Sequence, residues 1–265
     1  MKGFQSIKNI KSKYTWKKQL GSGSFGAVYE AVHAIAETPV AIKVINKKTV
    51  QAAPVYVKLM KQELEVLEEL DHPHIVRVIE LLEDDSNYYV VMELLQDGNL
   101  LDFLNNISKR KVSFRERDAA NLTNQILLAL NYMHTHNPPI AHRDLKLENI
   151  MIQQVANPAS KELEVILKVT DFGFAVHVDP NKGEKLSLGS PMYTAPEVIK
   201  AKEYYDERCD VWSLGIMTYM MLSNKPPFAG EKKEDIYRKA LNYEPDYACF
   251  SKFYKNGSMC TDFLK

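Results

Sequence analysis

The chain has 265 residues, 45% of them hydrophobic and 26% charged, as is usual for a globular protein. Its 34 basic and 34 acidic side chains cancel, so we expect neither nucleic acid nor an anionic membrane as a partner. The three cysteines fit neither a disulfide framework nor a metal-ligand spacing, and the apolar run 211–222 is too short to cross a bilayer. We therefore expect a cytoplasmic protein, with that run as a buried helix.

The first third of the sequence predicts a sheet with one helix. Alternating apolar residues predict strands over 14–20, 27–32, 40–45, 75–82 and 88–94. Met60, Leu64 and Leu67 recur at helical spacing and predict a helix over 54–70. Beyond this part the pattern becomes mostly helical, and helices are predicted over 100–108, 118–135, 209–223 and 231–242.

A glycine motif lies between the first two predicted strands. Residues 21–26 read Gly-Ser-Gly-Ser-Phe-Gly, the G-x-G-x-x-G pattern. In a dinucleotide-binding fold this pattern opens a helix, but here residues 27–32 continue as a strand. We therefore expect the glycines at the tip of a hairpin, where a backbone without Cβ atoms can approach phosphate oxygens.

One lysine and one glutamate are predicted to lie in apolar surroundings. Lys43 lies on the apolar strand 40–45, where an unpaired lysine is costly. At about 100° per residue, Glu63 falls within the apolar stripe of the helix 54–70. We expect the two side chains to form a buried ion pair; the alternative is that Glu63 lies at the helix edge.

A cluster of polar residues follows the predicted helix 118–135. Residues 142–149 read His-Arg-Asp-Leu-Lys-Leu-Glu-Asn, and Asp171-Phe172-Gly173 comes further along. The carboxylate of Asp144 can accept a hydroxyl proton, and Lys146 can neutralise phosphate charge. Asn149 and the carboxylate of residue 171 offer the oxygen ligands that magnesium prefers. The alternative is a charged loop that ends a buried helix.

Together these motifs resemble the eukaryotic protein kinase family, over nearly the whole chain. The resemblance implies an α+β fold of two lobes with an ATP cleft between them. It implies a small β-rich N-lobe with one main helix over 14–92, a hinge over 93–99 and a larger helical C-lobe over 100–265. Residues 1–13 would be an N-terminal extension, and we expect the sequence to stop inside a helix of the C-lobe.

The resemblance also implies roles for individual residues. Asp144 and Lys146 would act in catalysis with the pair of Lys43 and Glu63, and Asn149 and Asp171 would hold Mg²⁺. ATP would be bound by Leu20, Gly21, Ser22, Gly23, Ser24, Phe25, Gly26, Val28, Ala41, Lys43, Met92, Glu93, Leu95 and Met151. The carbonyl of Glu93 and the amide of Leu95 would pair with the base edge. Asp210 would tie down the backbone of the 142–149 loop, with a helix N-cap as its alternative role.

The substrate class follows from the same resemblance. The sequence resembles serine/threonine kinases at Lys146 and at Ser190 within the segment 189–197. This resemblance implies protein substrates with serine or threonine acceptors. Residues 72–77 and 210–217 resemble the calcium/calmodulin-dependent and calcium-dependent kinases. Because the sequence contains no EF-hand loop, a calcium response would need a regulatory tail or a calcium-sensor partner outside this chain.

Two other functions remain open. A nucleotide-binding pseudokinase scaffold would normally have lost Lys43, Asp144 or Asp171, and all three are present. A small-molecule phosphotransferase of related fold would lack the segment Ala195-Pro196-Glu197, which is also present.

The segment before Gly189 lacks the usual phosphoacceptor. Kinases with an arginine before the catalytic aspartate, here Arg143, often need a phosphate to neutralise a basic pocket. The position where that phosphate commonly sits is Leu186, and Ser187 is one residue out of register. We expect Glu184 to be able to supply a fixed negative charge instead, so that phosphorylation at the usual position is not required.

Overall fold

The computed structural model describes residues 4–23, 26–110, 114–156, 163–179, 181–186, 188–200, 204–253 and 262–264. Its small lobe contains a six-stranded sheet with strand order β1-β5-β6-β4-β3-β2. These strands are β1 (Gln5–Ser6), β2 (Tyr14–Gly23), β3 (Gly26–His33), β4 (Pro39–Asn46), β5 (Val78–Glu83) and β6 (Asn87–Glu93). Neighbouring strands are antiparallel except β1, which lies parallel to β5.

The small lobe has two helices, α1 (Lys47–Gln51) and α2 (Pro54–Glu69). Helix α2 begins at a proline, which has no backbone N–H to leave unpaired in the first turn. Its buried face carries Leu59, Met60, Glu63, Leu64, Val66 and Leu67, so the predicted apolar stripe is confirmed. The sequence analysis does not predict helix α1. The side chain of Asn46 caps this helix by accepting hydrogen bonds from the backbone N–H groups of Lys48 and Thr49.

The large lobe is mainly helical. Its helices are α3 (Leu100–Arg110), α4 (Glu116–His134), α5 (Pro196–Lys200), α6 (Cys209–Ser223), α7 (Lys233–Asn242) and α8 (Ala248–Phe253). Helix α6 packs against α4, and ten of its fifteen residues are buried, which confirms the predicted buried helix. Within the described residues, no helix combines the length and the apolar character needed to cross a membrane.

Short strands lie at the junction of the lobes. They form two antiparallel pairs, β7 (Ile140–Ala141) with β10 (Val176–His177) and β8 (Ile150–Ala156) with β9 (Leu163–Val169). One continuous hydrophobic core runs from Leu67 and Val90 in the small lobe to Leu145 and Phe172 in the large lobe. This shared core fixes how the polar residues of the two lobes face each other across the cleft.

Two strands also differ from the sequence prediction. The strand predicted from residue 75 begins at Val78, because Ile75 instead forms an isolated bridge to Val169 of β9. Strand β1, in the segment expected to be an extension, joins the small-lobe sheet. Strand β8 continues to Ala156, and residues 157–162 lie outside the described residues.

Candidate active site

The glycine motif forms the end of the β2–β3 hairpin. Gly21 pairs with Val28, and Gly23 pairs with Gly26, so the strand–loop–strand prediction is confirmed. Ser24 and Phe25 lie outside the described residues. A Cβ atom at Gly26 would lie 1.8 Å from the backbone oxygen of Val44 on β4, so packing within the sheet already requires glycine there. At Gly21 an added Cβ would meet no described atom within 4 Å.

Strand β4 and helix α2 bring Lys43 and Glu63 together. Nζ of Lys43 lies 2.5 Å from Oε1 of Glu63, and the two side chains are 6% and 2% exposed. Burial acts to lower the pKa of Lys43, but the carboxylates of Glu63 and Asp171 outweigh it and raise that pKa above its ordinary value. The lysine therefore keeps its positive charge at the base of the cleft.

A cavity of about 270 Å³ lies between the lobes. It is lined by twelve of the residues predicted for the site: Leu20, Gly21, Ser22, Val28, Ala41, Lys43, Glu63, Met92, Glu93, Leu95, Met151 and Asp171. Among the described residues, five others that were predicted for the site lie outside its lining: Gly23, Gly26, Asp144, Lys146 and Asn149. Leu67, Val76, Leu94, Thr170 and Phe172 complete the wall. Sequence reasoning did not assign Thr170 or Val76 to the site, because neither belongs to a charged or glycine-rich motif.

The loop after β7 holds Asp144 in a dense set of hydrogen bonds. Its Oδ2 accepts from Nζ of Lys146 at 2.8 Å and from Nδ2 of Asn149 at 3.2 Å. Its Oδ1 accepts from both the backbone N–H and the hydroxyl of Ser190, each at 2.9 Å. Nζ of Lys146 also donates to the Ser190 hydroxyl at 3.1 Å. The structure therefore adds Ser190 to the predicted cluster of residues 144, 146 and 149.

Asp210 fixes the backbone of this loop. Its carboxylate is fully buried and accepts from the backbone N–H groups of His142 at 2.7 Å and Arg143 at 2.9 Å. The alternative that it is an N-cap is wrong, because the cap of α6 is Arg208 and Asp210 lies in the first turn. The predicted contact with the loop backbone is confirmed.

Asn149 and Asp171 offer oxygen ligands beside the cleft. Nδ2 of Asn149 donates to the backbone oxygen and to Oδ2 of Asp144, so its amide oxygen takes no part in these two bonds. Asp171 has a left-handed backbone, with φ of 61°. This conformation is costly for a residue other than glycine and is often found at functional sites. An amide oxygen and a carboxylate fit Mg²⁺, which prefers oxygen ligands.

Three groups contact the side chain of Arg143, which belongs to the 142–149 loop. Its Nε donates to the backbone oxygen of Phe174 at 2.7 Å, and one terminal nitrogen lies 3.2 Å from Oε2 of Glu184. The same nitrogen lies 3.5 Å from the hydroxyl of Tyr205, whose pKa is raised by burial despite the opposing effect of the arginine. The carboxylate of Glu184 thus lies beside Arg143, as its expected role as a fixed negative charge requires, and that role stays a prediction. Ser187 lies outside the described residues.

Comparison with known proteins agrees with this geometry. The family model described as "Protein kinase domain" matches residues 14–264. The chain belongs to the protein kinase domain family. The two-lobed α+β fold predicted from the sequence is thereby confirmed, and members of this family in general use ATP and Mg²⁺ to modify protein substrates.

Similar proteins include several serine/threonine and calcium-dependent kinases. Serine/threonine-protein kinase 33 of Bos taurus is 39% identical over 226 residues, which are 84% of this chain and 45% of that protein. Calcium-dependent protein kinase 4 of Plasmodium falciparum is 39% identical over 242 residues, 91% of this chain and 43% of that protein. Myosin light chain kinase A of Dictyostelium discoideum is 36% identical over 237 residues, 89% of this chain and 75% of that protein. The kinase domain thus spans less than half the length of the first two relatives.

Proposed function

We propose that the chain is a serine/threonine protein kinase that transfers the γ-phosphoryl group of ATP to hydroxyls of protein substrates, with Mg²⁺. The observation that carries this proposal is the simultaneous formation of two polar sets, one in each lobe. Lys43 is paired with Glu63 on the small-lobe side, and the cluster around Asp144 is complete on the large-lobe side. The names of the relatives support the choice of serine and threonine as acceptors.

The nucleotide would occupy the cavity between the lobes. Val28 and Ala41 on the small-lobe side and Met151 on the large-lobe side offer apolar surfaces for the two faces of a purine. The backbone of Glu93 and Leu95 would pair with the edge of the base. The charged Nζ of Lys43 would contact the α- and β-phosphates, and Glu63 would hold it in position.

Asp144 would orient the substrate hydroxyl and accept its proton. A carboxylate has about four lone-pair positions, and here four donors already occupy them. A substrate hydroxyl must therefore displace one donor. Lys146 is the best candidate, since its side chain is 22% exposed and its charge is needed at the γ-phosphoryl group.

Asn149 and Asp171 would hold the magnesium ion. When bound, the ion neutralises phosphate charge and so lowers the electrostatic cost of the transition state. The contribution of the protein is to fix the two oxygen donors. The hydrogen bonds of Nδ2 to Asp144 set the orientation of the Asn149 amide, and the backbone N–H of Thr170 donates to the backbone oxygen of Asn149 at 2.9 Å.

The regulation of the kinase is proposed from its relatives. Several of them are named as calcium-dependent or myosin light chain kinases, which supports a place for this chain in the calcium-regulated group. Because Glu184 already neutralises Arg143, control would come from a tail or a partner that covers the cleft.

Phosphate transfer tests the proposal directly. The protein is incubated with ATP labelled at the γ-phosphate, with Mg²⁺ or with a chelator, and with peptides that contain serine, threonine or tyrosine. We expect Mg²⁺-dependent labelling of serine and threonine. Nucleotide binding without transfer would favour the pseudokinase scaffold, and labelling of small molecules alone would favour a small-molecule phosphotransferase.

A further inference from the structure

Three metal-ligating side chains meet at the junction of the lobes, away from the cleft. Glu69 is the last residue of α2, His136 follows the end of α4, and His177 lies on β10. Their ligand atoms all lie within 4.8 Å of one another. One residue comes from the small lobe and two from the large lobe, and none of them has a part in the proposed phosphate transfer.

The distances within this cluster fit a tetrahedral ion. Oε2 of Glu69 lies 2.9 Å from Nε2 of His177 and 3.8 Å from Nδ1 of His136. Ligands about 2.0–2.2 Å from a tetrahedral Zn²⁺ lie about 3.3–3.6 Å apart, between these two values, and the ligand atoms of the two histidines lie within 4.8 Å of each other. Small side-chain rotations would therefore place all three ligand atoms around one ion.

One nitrogen of the cluster lacks a partner that a metal would provide. Nδ1 of His136 is buried and makes no hydrogen bond within the described residues, although it faces the carboxylate. Burying a polar atom without a partner is unfavourable. The hydrogen bond between Nε2 of His177 and Oε2 of Glu69 leaves Nδ1 of His136 without a partner. A shared cation would instead be bound by both rings and the carboxylate.

The surroundings hold the backbones of the ligand residues in place. The hydroxyl of Tyr132 donates to the backbone oxygen of Glu69 at 3.4 Å and accepts from the N–H of Asp71. The backbone N–H of His136 donates to Met133, and His177 pairs with Ile140 in the β7–β10 ladder. The three ligand residues thus come from fixed elements.

We propose that Glu69, His136 and His177 bind one divalent transition-metal ion of the Zn²⁺ type. Two imidazole nitrogens and one carboxylate form a set that catalytic and regulatory zinc sites use, with water at the fourth position. Mg²⁺ and Ca²⁺ prefer all-oxygen ligands and are disfavoured here. The ion ties the end of α2 to the large lobe, so binding stabilises the arrangement of the two lobes. This inference does not depend on the proposed function.

Metal titration tests the site. The protein carries no histidine tag, and bound metal is removed with a chelator, which is itself removed before the titration. Zn²⁺ binding is measured by calorimetry and Co²⁺ binding by visible absorption, both in excess Mg²⁺ so that the cleft does not contribute. We expect one equivalent to bind, with the absorption of four-coordinate Co²⁺. His136→Ala, His177→Ala and Glu69→Gln should each weaken binding by about tenfold or more.

Two neighbouring variants serve as matched controls. Glu68→Gln changes the adjacent glutamate, and His72→Gln changes a histidine whose ring stacks on Tyr132 and whose Nδ1 accepts from the backbone of His74. Both should bind Zn²⁺ as the wild type does, with circular dichroism used to confirm folding. Absence of binding in the wild type, or equal binding in Glu69→Gln and the wild type, would overturn the proposal.

Discussion

Arg143 and Glu184 form an ion pair across the large lobe, in which the arginine side chain is only 2% exposed. The arginine immediately precedes Asp144, and the glutamate lies in the segment that leads to Ser190, which bonds to Asp144. The backbone of Glu184 is in turn paired with that of Tyr205 in both directions. The carboxylate of Glu184 therefore contacts the same arginine that a regulatory phosphate would otherwise neutralise.

Removing that carboxylate should weaken both the fold and the activity. Glu184→Ala leaves a buried guanidinium without its ion-pair partner, and we expect the free energy of unfolding to fall by about 3 kcal/mol. Phosphate transfer should fall by about tenfold because the segment loses its anchor. Denaturant titration and steady-state kinetics measure the two effects. The exposed Glu231→Gln is the control, and unchanged kinetics in Glu184→Ala would show that the pair does not order the segment.

Phosphorylation of the segment should not be needed for activity. We expect Ser187→Ala, made in cells that lack upstream kinases, to transfer phosphate within a few-fold of the wild-type rate. Mass spectrometry of both proteins determines whether residue 187 of the wild type carries phosphate. A drop of about tenfold or more would contradict the role of Glu184 and make Ser187 the switch.

The buried pair in the cleft allows stability and activity to be separated. Lys43→Met leaves Glu63 as an unpaired buried acid, so we expect a loss of phosphate transfer and a free energy of unfolding lower by about 3 kcal/mol. The double variant Lys43→Met with Glu63→Leu should regain stability, because apolar residues tolerate burial, but should remain inactive. A double variant as unstable as the single one would mean that charge burial is not the cause.

The two described cysteines should differ in reactivity. Burial raises the pKa of the Cys209 thiol, with a further contribution from the charge of Asp210, so very little reactive thiolate is present. We expect iodoacetamide at mildly alkaline pH to modify Cys249, which is partly exposed, and to leave Cys209 unmodified until the protein unfolds. Peptide mass spectrometry reads the outcome, and early modification of Cys209 would show that α6 is accessible in the native state.

The sequence predicts those parts of the structure that depend on local pattern. Alternation predicts the small-lobe strands, and the helical position of Glu63 in an apolar stripe is enough to expect its pairing with Lys43. The contacts of Ser190 with Asp144 and of Tyr205 with Arg143 join residues far apart in the chain, and no local periodicity predicts them. Strand β1 was also missed, because its two residues are exposed and pair with a distant strand.

Single-turnover transfer by Asp144→Asn tests the central claim most directly. An amide preserves the shape of the side chain but cannot take the hydroxyl proton, so we expect the transfer rate to fall by about 10²-fold or more. Binding of a fluorescent ATP analogue should stay within a few-fold of wild type, because Asp144 lies outside the lining of the nucleotide cavity. Near wild-type transfer in this variant would contradict the assignment of Asp144 and, with it, the proposed mechanism.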